Sequence, residues 1–340
     1  MANPLLLQIL PDSSDIKSAR TRLHWKAASI AGVLLIGYLG VMTAHTQWQR
    51  LLWAVVLVHG AVAMATGVMH DANHGSFSSV KRVNTAFAWT ADLLGASSHL
   101  WRLQHNVAHH KHTNIQGRDK DLQQDPLARL APLQTWHPWH RAQQWYMWPL
   151  YGFLQVKWFL IGDWMTLVQL DSVQRRRLGW RVLLGKLLHA TWAVALPLAF
   201  HGWKSVVVWY LACSWAVGFA LAVVFQMAHA VDEAEFMEEA GPITGDAMFA
   251  HQLATTVDVQ TRSVVRWYCA WLMGGLDHQV EHHLAPRVPH TAYSAMAKTV
   301  KSVASANSLR YRSHSSLRGA VASHWRWLRE MGRRPEGLAG

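Results

Sequence analysis

With 340 residues the chain is long enough for one or two domains, and a composition of 15% charged and 51% apolar residues is poorer in charge than a typical soluble domain. Its two cysteines, Cys213 and Cys269, lie in or near apolar runs, which excludes a disulfide framework and a cysteine-based zinc site. A formal charge of +12 suits nucleic acid or the basic cytoplasmic face of a membrane protein; twenty tryptophans, an interfacial residue, favour the second.

The first 26 residues are polar after a short leucine patch and show no n-region, h-region and cleavage site in sequence, so no cleavable signal is expected. Residues 27–44 and 51–69 are uncharged, each close to the ~20 residues that cross a ~30 Å hydrocarbon core, and the short linker between them makes a transmembrane hairpin. Residues 182–200 and 205–228 form a second hairpin that turns at His201-Gly202-Trp203-Lys204. Lys186 and His189 interrupt the third span, with Lys186 near enough to its end to snorkel. Lys17, Arg20, Arg22 and Lys26 precede the first span and Arg175, Arg176, Arg177 and Arg181 the third, whereas the opposite turns carry only Arg50 and Lys204. The positive-inside rule then puts both termini and the long central loop in the cytoplasm.

Residues 84–101 and 144–164 are also apolar but contain Asp92, and Lys157 with Asp163, so they read as interfacial or re-entrant helices. If 84–101 crossed the bilayer, His70 and His105 would stand on opposite sides and could not share a metal centre. The acidic run of Asp232, Glu233, Glu235, Glu238 and Glu239 reads as a solvated face, and the basic, Trp-bearing stretch 311–334 as a tail lying on anionic headgroups. The expected organisation is a cytoplasmic segment 1–26, a body 27–310 and a basic tail 311–340. The expected fold is all-α, an integral multi-pass membrane protein with four transmembrane helices in two hairpins and a cytoplasmic helical cap.

Histidines gather at the cytoplasmic ends of these spans. His70 and His74 follow the second span at i and i+4; His105, His109 and His110 occupy the central loop; His229 ends the fourth span; His282 and His283 lie further on. On a helix, His105 and His109 share a face, and His110 points about 100° further round, toward a second metal or the far side of the same one. Imidazole suits Zn, Cu, Fe and Ni, so four such clusters on one side propose a transition-metal site.

The spacings H-x3-H, H-x3-H-H and Q-x-x-H-H, in His70–His74, His105–His110 and Gln279–His283, resemble the three histidine boxes of the membrane fatty-acid desaturases. Gln279 at the head of the third box is similar to the front-end (delta-5/delta-6, linoleoyl-CoA desaturase-like) subgroup. His110-Lys111-His112-Thr113-Asn114, the run 117–125 with Asp119 and Asp121, and Gly274-Gly275-Leu276-Asp277-His278-Gln279 extend the likeness over about residues 70–289. Two features depart from it: there is no His-Pro-Gly-Gly motif of a fused cytochrome b5 domain, and Ala285 stands where an aromatic usually follows His-His-Leu.

The resemblance implies a di-iron centre in the helical cap, with His70, His74, His105, His109, His110, His229, His282 and His283 as ligands and Gln279 at a ninth position. Asp71, Asn106, Asp119, Asp121 and Asp277 are then the groups expected to fix imidazole tautomers, while His278 and His112 stand outside the ligand set. His24, His45, His59, His189 and His201 lie within spans or on the wrong side and read as structural. The implied activity is O2-dependent desaturation of a fatty-acyl-CoA or lipid-linked acyl chain. It needs a separate electron donor of ferredoxin or cytochrome b5 type, and the active site faces the cytoplasm, at the inner membrane if the source is bacterial.

A membrane fatty-acid, alkane or carotenoid hydroxylase shares the histidine pattern and is the nearest alternative. A metal transporter would place ionisable ligands along the spans, and here only His59, Lys186 and His189 lie there. Zinc hydrolysis lacks His-Glu-x-x-His, soluble-type di-iron proteins need Glu-x-x-His motifs, and nucleic-acid binding has only the net charge in its favour.

Overall fold

The computed structural model describes residues 4–238, 243–261 and 263–335. After a short α1 (Pro4–Ile9), the chain enters α2 (Ser13–Thr43), which starts where the Asp12 carboxylate accepts from the Ser14 and Asp15 backbone N–H groups. A Thr46–Gln49 capping box turns it into α3 (Gln47–His74), which runs through a π-helical stretch at Met64–Met69 and delivers His70 and His74 in its last turns. The two helices pack closely because Gly37 faces the Leu57 backbone and Gly60 the Leu34 backbone.

Short helices follow: α4 (Lys81–Ala88), α5 (Thr90–Leu93) and α6 (Ser98–Arg102), then a π-helical segment at Leu103–His109. A loop leads to α7 (Gln143–Tyr151), α8 (Leu154–Lys157) and α9 (Asp163–Gln169). None of these reaches spanning length, as the charges in 84–101 and 144–164 required. Then come α10 (Ser172–Ala190), a π-helical turn at Thr191–Ala195, α11 (Leu196–Leu198) and the long α12 (Trp203–His229). The remainder builds the cap: α13 (Asp246–Thr255), β1 (Asp258–Val259), α14 (Ser263–Met273), α15 (Gln279–Leu284), α16 (Tyr293–Ala306), β2 (Ser313–His314) and α17 (Leu317–Gly332). The β1–β2 parallel pair is the one sheet among the described residues of an otherwise helical chain.

Among the described residues, three helices are long and apolar enough to cross a membrane: Ser13–Thr43, Gln47–His74 and Trp203–His229. The stretch expected as the third span is helical throughout, but a π turn and Pro197 interrupt it, since proline has no N–H to continue an α-helical ladder.

Three expectations need correction. Lys186 does not snorkel. It is 6% exposed, pairs with Asp163, and donates to the carbonyls of Gly95 (2.7 Å) and Trp158 (2.8 Å), while Asp163 Oδ2 accepts from Ser97 N at 2.7 Å. This buried knot ties α10 to the interrupted helices on either side of the histidine-bearing loop. Next, the acidic run is more than a solvated face: Asp232, Glu235 and Glu238 are exposed, as expected, but Asp232, Glu233 and Glu235 also hold Arg326, Ser323 and Arg312 of the C-terminal segment. Glu239 lies outside the described residues. Finally, the tail is not merely laid on headgroups. Leu328 and His324 of α17 are fully buried, with His324 between the Ala230 carbonyl (2.7 Å) and the Tyr151 hydroxyl (2.7 Å). The N-terminal segment packs likewise, Ile9 joining Phe249, Leu253, Val280 and Val300 in the cap core.

Removing one member of the buried pair strands the other. Lys186→Met should lower stability by roughly 3–5 kcal/mol, and Lys186→Met/Asp163→Asn should recover most of it. Thermal unfolding in detergent checks this; a single variant as stable as the wild type would show that the pair contributes nothing.

Candidate metal centre

Four separate pieces of chain converge at the cap end of α3 and α12. The end of α3 brings His70 and His74, the Leu103–His109 segment brings His105 and His109 with His110 just after it, α12 ends on His229, and α15 carries Gln279, His282 and His283. The α15 segment is seated by Gly274, at φ +58°, where a Cβ would stand 2.3 Å from the Thr66 carbonyl group in the π stretch of α3. Only glycine permits that approach.

Each of the eight histidines is 8% exposed or less. The His70 ring lies 4.4 Å from that of His282, 4.6 Å from that of His74 and 5.3 Å from that of His105, centre to centre, in tilted and edge-on pairs. On the other side His109 lies 4.7 Å from His229 and 4.9 Å from His283. Imidazole nitrogens of His70, His74, His105 and His282 come within 4.8 Å of one another, and so do those of His109, His229 and His283. His110 joins the two groups, 4.6 Å from His282 and 4.3 Å from His283. Its position differs from the α-helical expectation. Here the backbone closes i→i+5, with His110 N donating to the His105 carbonyl at 3.0 Å, so residues five apart stand over one another. Their Nε2 atoms meet at 3.2 Å instead of diverging by about 100°.

The nitrogens facing inward are the chemically telling ones. Nε2 of His70, His74, His109, His282 and His283, and Nδ1 of His110, are buried and without a hydrogen-bond partner. Unpaired buried polar atoms are costly, and so many converging on one small volume fit a metal ion's donor set. The outward nitrogens are held. His109 Nδ1 lies 3.0 Å from Asp119 Oδ2, His229 Nδ1 3.3 Å from the Thr255 carbonyl, His282 Nδ1 3.3 Å from the Tyr293 hydroxyl, and His283 Nδ1 2.9 Å from Gln252 Oε1. Such contacts fix the tautomer that leaves the inner nitrogen's lone pair free.

Of the other expected residues, Asp121 lies 3.6 Å from Nδ1 of both His105 and His109, whereas the Asp71 carboxylate accepts from the backbone N–H and faces Nδ1 of His290. Asn106 donates to the Asn73 carbonyl at 2.9 Å, Asp277 Oδ1 is buried without a partner, and the Gln279 amide lies 2.9 Å from His229 Nε2 with its Oε1 unpartnered. His278 faces away, toward Asp258 (3.5 Å) and Glu281 (3.6 Å). Burial disfavours its charge, but these carboxylates push its pKa up to about 10, and an imidazolium cannot bind a metal through that nitrogen.

Burial, reinforced by mutual repulsion, pushes His105, His110, His282 and His283 well below the ordinary imidazole value, so they are neutral at pH 7 and ready as ligands. His109 is the exception. Burial works against its charge, yet Asp119 and Asp121 outweigh it and hold its pKa up at about 9.

A cavity of about 450 Å³ opens onto His105, His109 and His229. Its walls are apolar (Trp101, Met147, Leu154, Trp158, Phe225), and Lys120, Gln123, Gln124 and Lys157 also line it. The volume is that of a typical small-molecule site. A model of the fatty acid desaturase family matches residues 46–315.

The chain belongs to the fatty acid desaturase family.

It is therefore an oxidoreductase of acyl chains. It is 34% identical over 297 residues to the sn-1 linoleoyl-lipid 6-desaturase of Synechocystis sp. (84% of this chain, 81% of the relative) and 32% identical over 298 residues to that of Arthrospira platensis (85% and 80%). An acyl-lipid (8-3)-desaturase of Physcomitrium patens shares 30% over 313 residues (89% and 65%).

Several residues that position the desaturase's histidines carry no signature in the sequence. Gln252 is the clearest: 2% exposed, it donates to the His110 carbonyl at 2.8 Å and accepts from Thr113 Oγ1 at 3.1 Å, besides facing His283. Tyr293 and Thr255 act alike on His282 and His229. None belongs to a histidine box, and only the packing of α13 and α16 brings them there.

Gln252→Leu should weaken metal binding about 10- to 100-fold, the usual cost of losing a ligand's outer partner; metal content of the purified variant measures it, and unchanged occupancy would refute that role. In the metal-free protein His109 is protonated at pH 7, and binding at its inner nitrogen must displace one proton. Apparent metal affinity should therefore rise about tenfold per pH unit below about 9 and flatten above it. Titration across pH 6–10 tests this; a flat profile up to pH 9 would contradict it.

Proposed function

We propose that this desaturase introduces a double bond into a lipid-linked acyl chain at a di-iron centre held by His70, His74, His105, His109, His110, His229, His282 and His283, with the Gln279 amide at the edge of the second group. The carrying observation is the set of buried inner nitrogens without partners beside an apolar cavity. Iron bound there supplies the O2-dependent oxidation of an unactivated methylene that side-chain acids and bases cannot perform. The net change removes two hydrogens from adjacent carbons; with two electrons and two protons from outside, O2 leaves as two waters.

The chain's own residues do the rest. Trp101, Leu154, Trp158 and Phe225 exclude water and line the acyl segment's path past His105, His109 and His229. Asp119, Thr255, Tyr293 and Gln252 keep the imidazole rings oriented, so the acyl chain meets a fixed centre instead of a flexible one. Lys120 and Lys157 suit a polar or anionic headgroup left in water.

The relatives' names, all acyl-lipid or linoleoyl-lipid desaturases in the three compared, support a lipid-linked substrate over acyl-CoA. A 6-desaturase acts between the carboxyl end and existing double bonds, and together with Gln279 this supports front-end regiochemistry. For topology, the α10–α11 path acts as a fourth span beside α2, α3 and α12, in a body of residues 27–310. The arginines in the first turns of α10 and the basic start of α2 support a metal face on the cytoplasmic side, at the inner membrane in a bacterium. A separate acidic donor of ferredoxin or cytochrome b5 type docks on that basic face, drawn by opposite charge. Hydroxylation shares the hydrogen abstraction, but the family match favours the alkene.

Expression in a host without polyunsaturated lipids, fed candidate acids, should yield products two mass units lighter, with double bonds located by fragmentation. Products sixteen units heavier would mean hydroxylation. His282→Ala should abolish product while the protein stays in the membrane; a fully active variant would sink the proposed site.

A further inference from the structure

A second groove, of about 920 Å³, lies outside the histidine centre: none of the eight histidines lines it. Its mouth carries Arg22 of α2 and Arg266 of α14, and Lys26 follows one turn below Arg22. These cations are held by neutral groups alone. Arg22 donates to Ser18 Oγ (2.9 Å) and the Thr291 carbonyl (3.3 Å), and Arg266 to Ser294 Oγ (2.5 Å). Lys26 donates to the Ala270 carbonyl (2.6 Å) and meets His290 Nε2 at 2.9 Å. Among the described residues, none has a carboxylate within ion-pair distance. One carboxylate, that of Asp277, lies at the buried end beside His278, whose positive charge offsets it.

The groove changes character along its length. From Arg22 to Val33 is eleven residues, about 16 Å along α2, and there the walls are Val33, Val55 and Val56 of the α2–α3 hairpin. Trp25 and Trp267 also line it, 75% and 76% exposed, as tryptophans at a headgroup boundary are. Charge at one end and an apolar seam along two spanning helices match the two halves of a phospholipid.

We propose that this groove binds one anionic phospholipid of the surrounding membrane, its phosphate between Arg22 and Arg266 and an acyl chain along the α2–α3 seam, separate from the substrate lipid. Net positive charge at the mouth selects an anionic over a zwitterionic headgroup. The lipid thereby bridges α2 to the cap helix α14, which packs against α3 near the π stretch that leads to His70. This rests on α2 and α3 being membrane spans and not on the desaturation reaction.

Native mass spectrometry of the full-length protein in neutral detergent, titrated with phosphatidylglycerol or phosphatidylcholine, tests it. One phosphatidylglycerol should be retained in preference to phosphatidylcholine. Arg22→Gln/Arg266→Gln should weaken that binding about 25-fold, from roughly fivefold per basic residue. Arg22→Lys/Arg266→Lys should keep most of it, and Arg176→Gln/Arg177→Gln, equally basic but away from the groove, should leave it unchanged. Full retention by the Gln pair, equal loss in the Arg176/Arg177 pair, or soluble glycerol phosphate binding as tightly as the lipid would each overturn the site. Alkaline carbonate extraction separates the underlying assumption: release of the protein would overturn the spans, whereas retention without lipid selectivity would overturn the groove alone.

Discussion

The structure depends on burying eight imidazoles side by side, with positive charge kept only where carboxylates offset it, as Asp119 and Asp121 do for His109. Buried side by side, they cannot all carry protons, and burial with mutual repulsion keeps the four from the second and third boxes, His105, His110, His282 and His283, uncharged. Neutral imidazole has one donor and one acceptor nitrogen. An outer acceptor therefore decides which nitrogen faces the middle, and Asp119, Thr255, Tyr293 and Gln252 occupy those outer positions. The inner nitrogens of His109, His282 and His283 then have no protein partner, which is the arrangement a metal satisfies.

The rest of the fold serves that geometry from a distance. Two helices end at the centre, α3 with its π stretch and α12, so their long apolar bodies set where it stands relative to the membrane. The Leu103–His109 segment is held from behind by α6 and by the Lys186–Asp163 pair, whose partners Gly95 and Ser97 immediately precede it. Acidic residues after α12 fasten the C-terminal helix over the same end. A cavity with apolar walls then opens onto His105, His109 and His229 at that centre.

Much of the candidate site is legible because it is built from histidines at short spacing, and few other roles demand such runs. The apolar runs likewise marked α2, α3 and α12, since a membrane imposes a length that composition displays. What stayed hidden depends on contacts between distant segments. Gln252 sits in an ordinary ten-residue helix, and nothing near it in sequence announces that it faces His283. Lys186 read as a flaw at the end of a span because its partner, Asp163, lies 23 residues away in a different helix. The meeting of His105 and His110 was missed for a local reason: the spacing was read with an α-helical period, and the backbone there is π-helical. The pairing of Asp232, Glu233 and Glu235 stays hidden because their partners come 94, 90 and 77 residues later.

The central claim is that these imidazoles hold two iron ions. X-ray absorption at the iron edge, together with metal analysis of the purified protein, tests it most directly. The account predicts two irons per chain in a shell dominated by imidazole nitrogen, with no sulfur scatterer. A single metal per chain, zinc in place of iron, or a carboxylate-rich oxygen shell would contradict it.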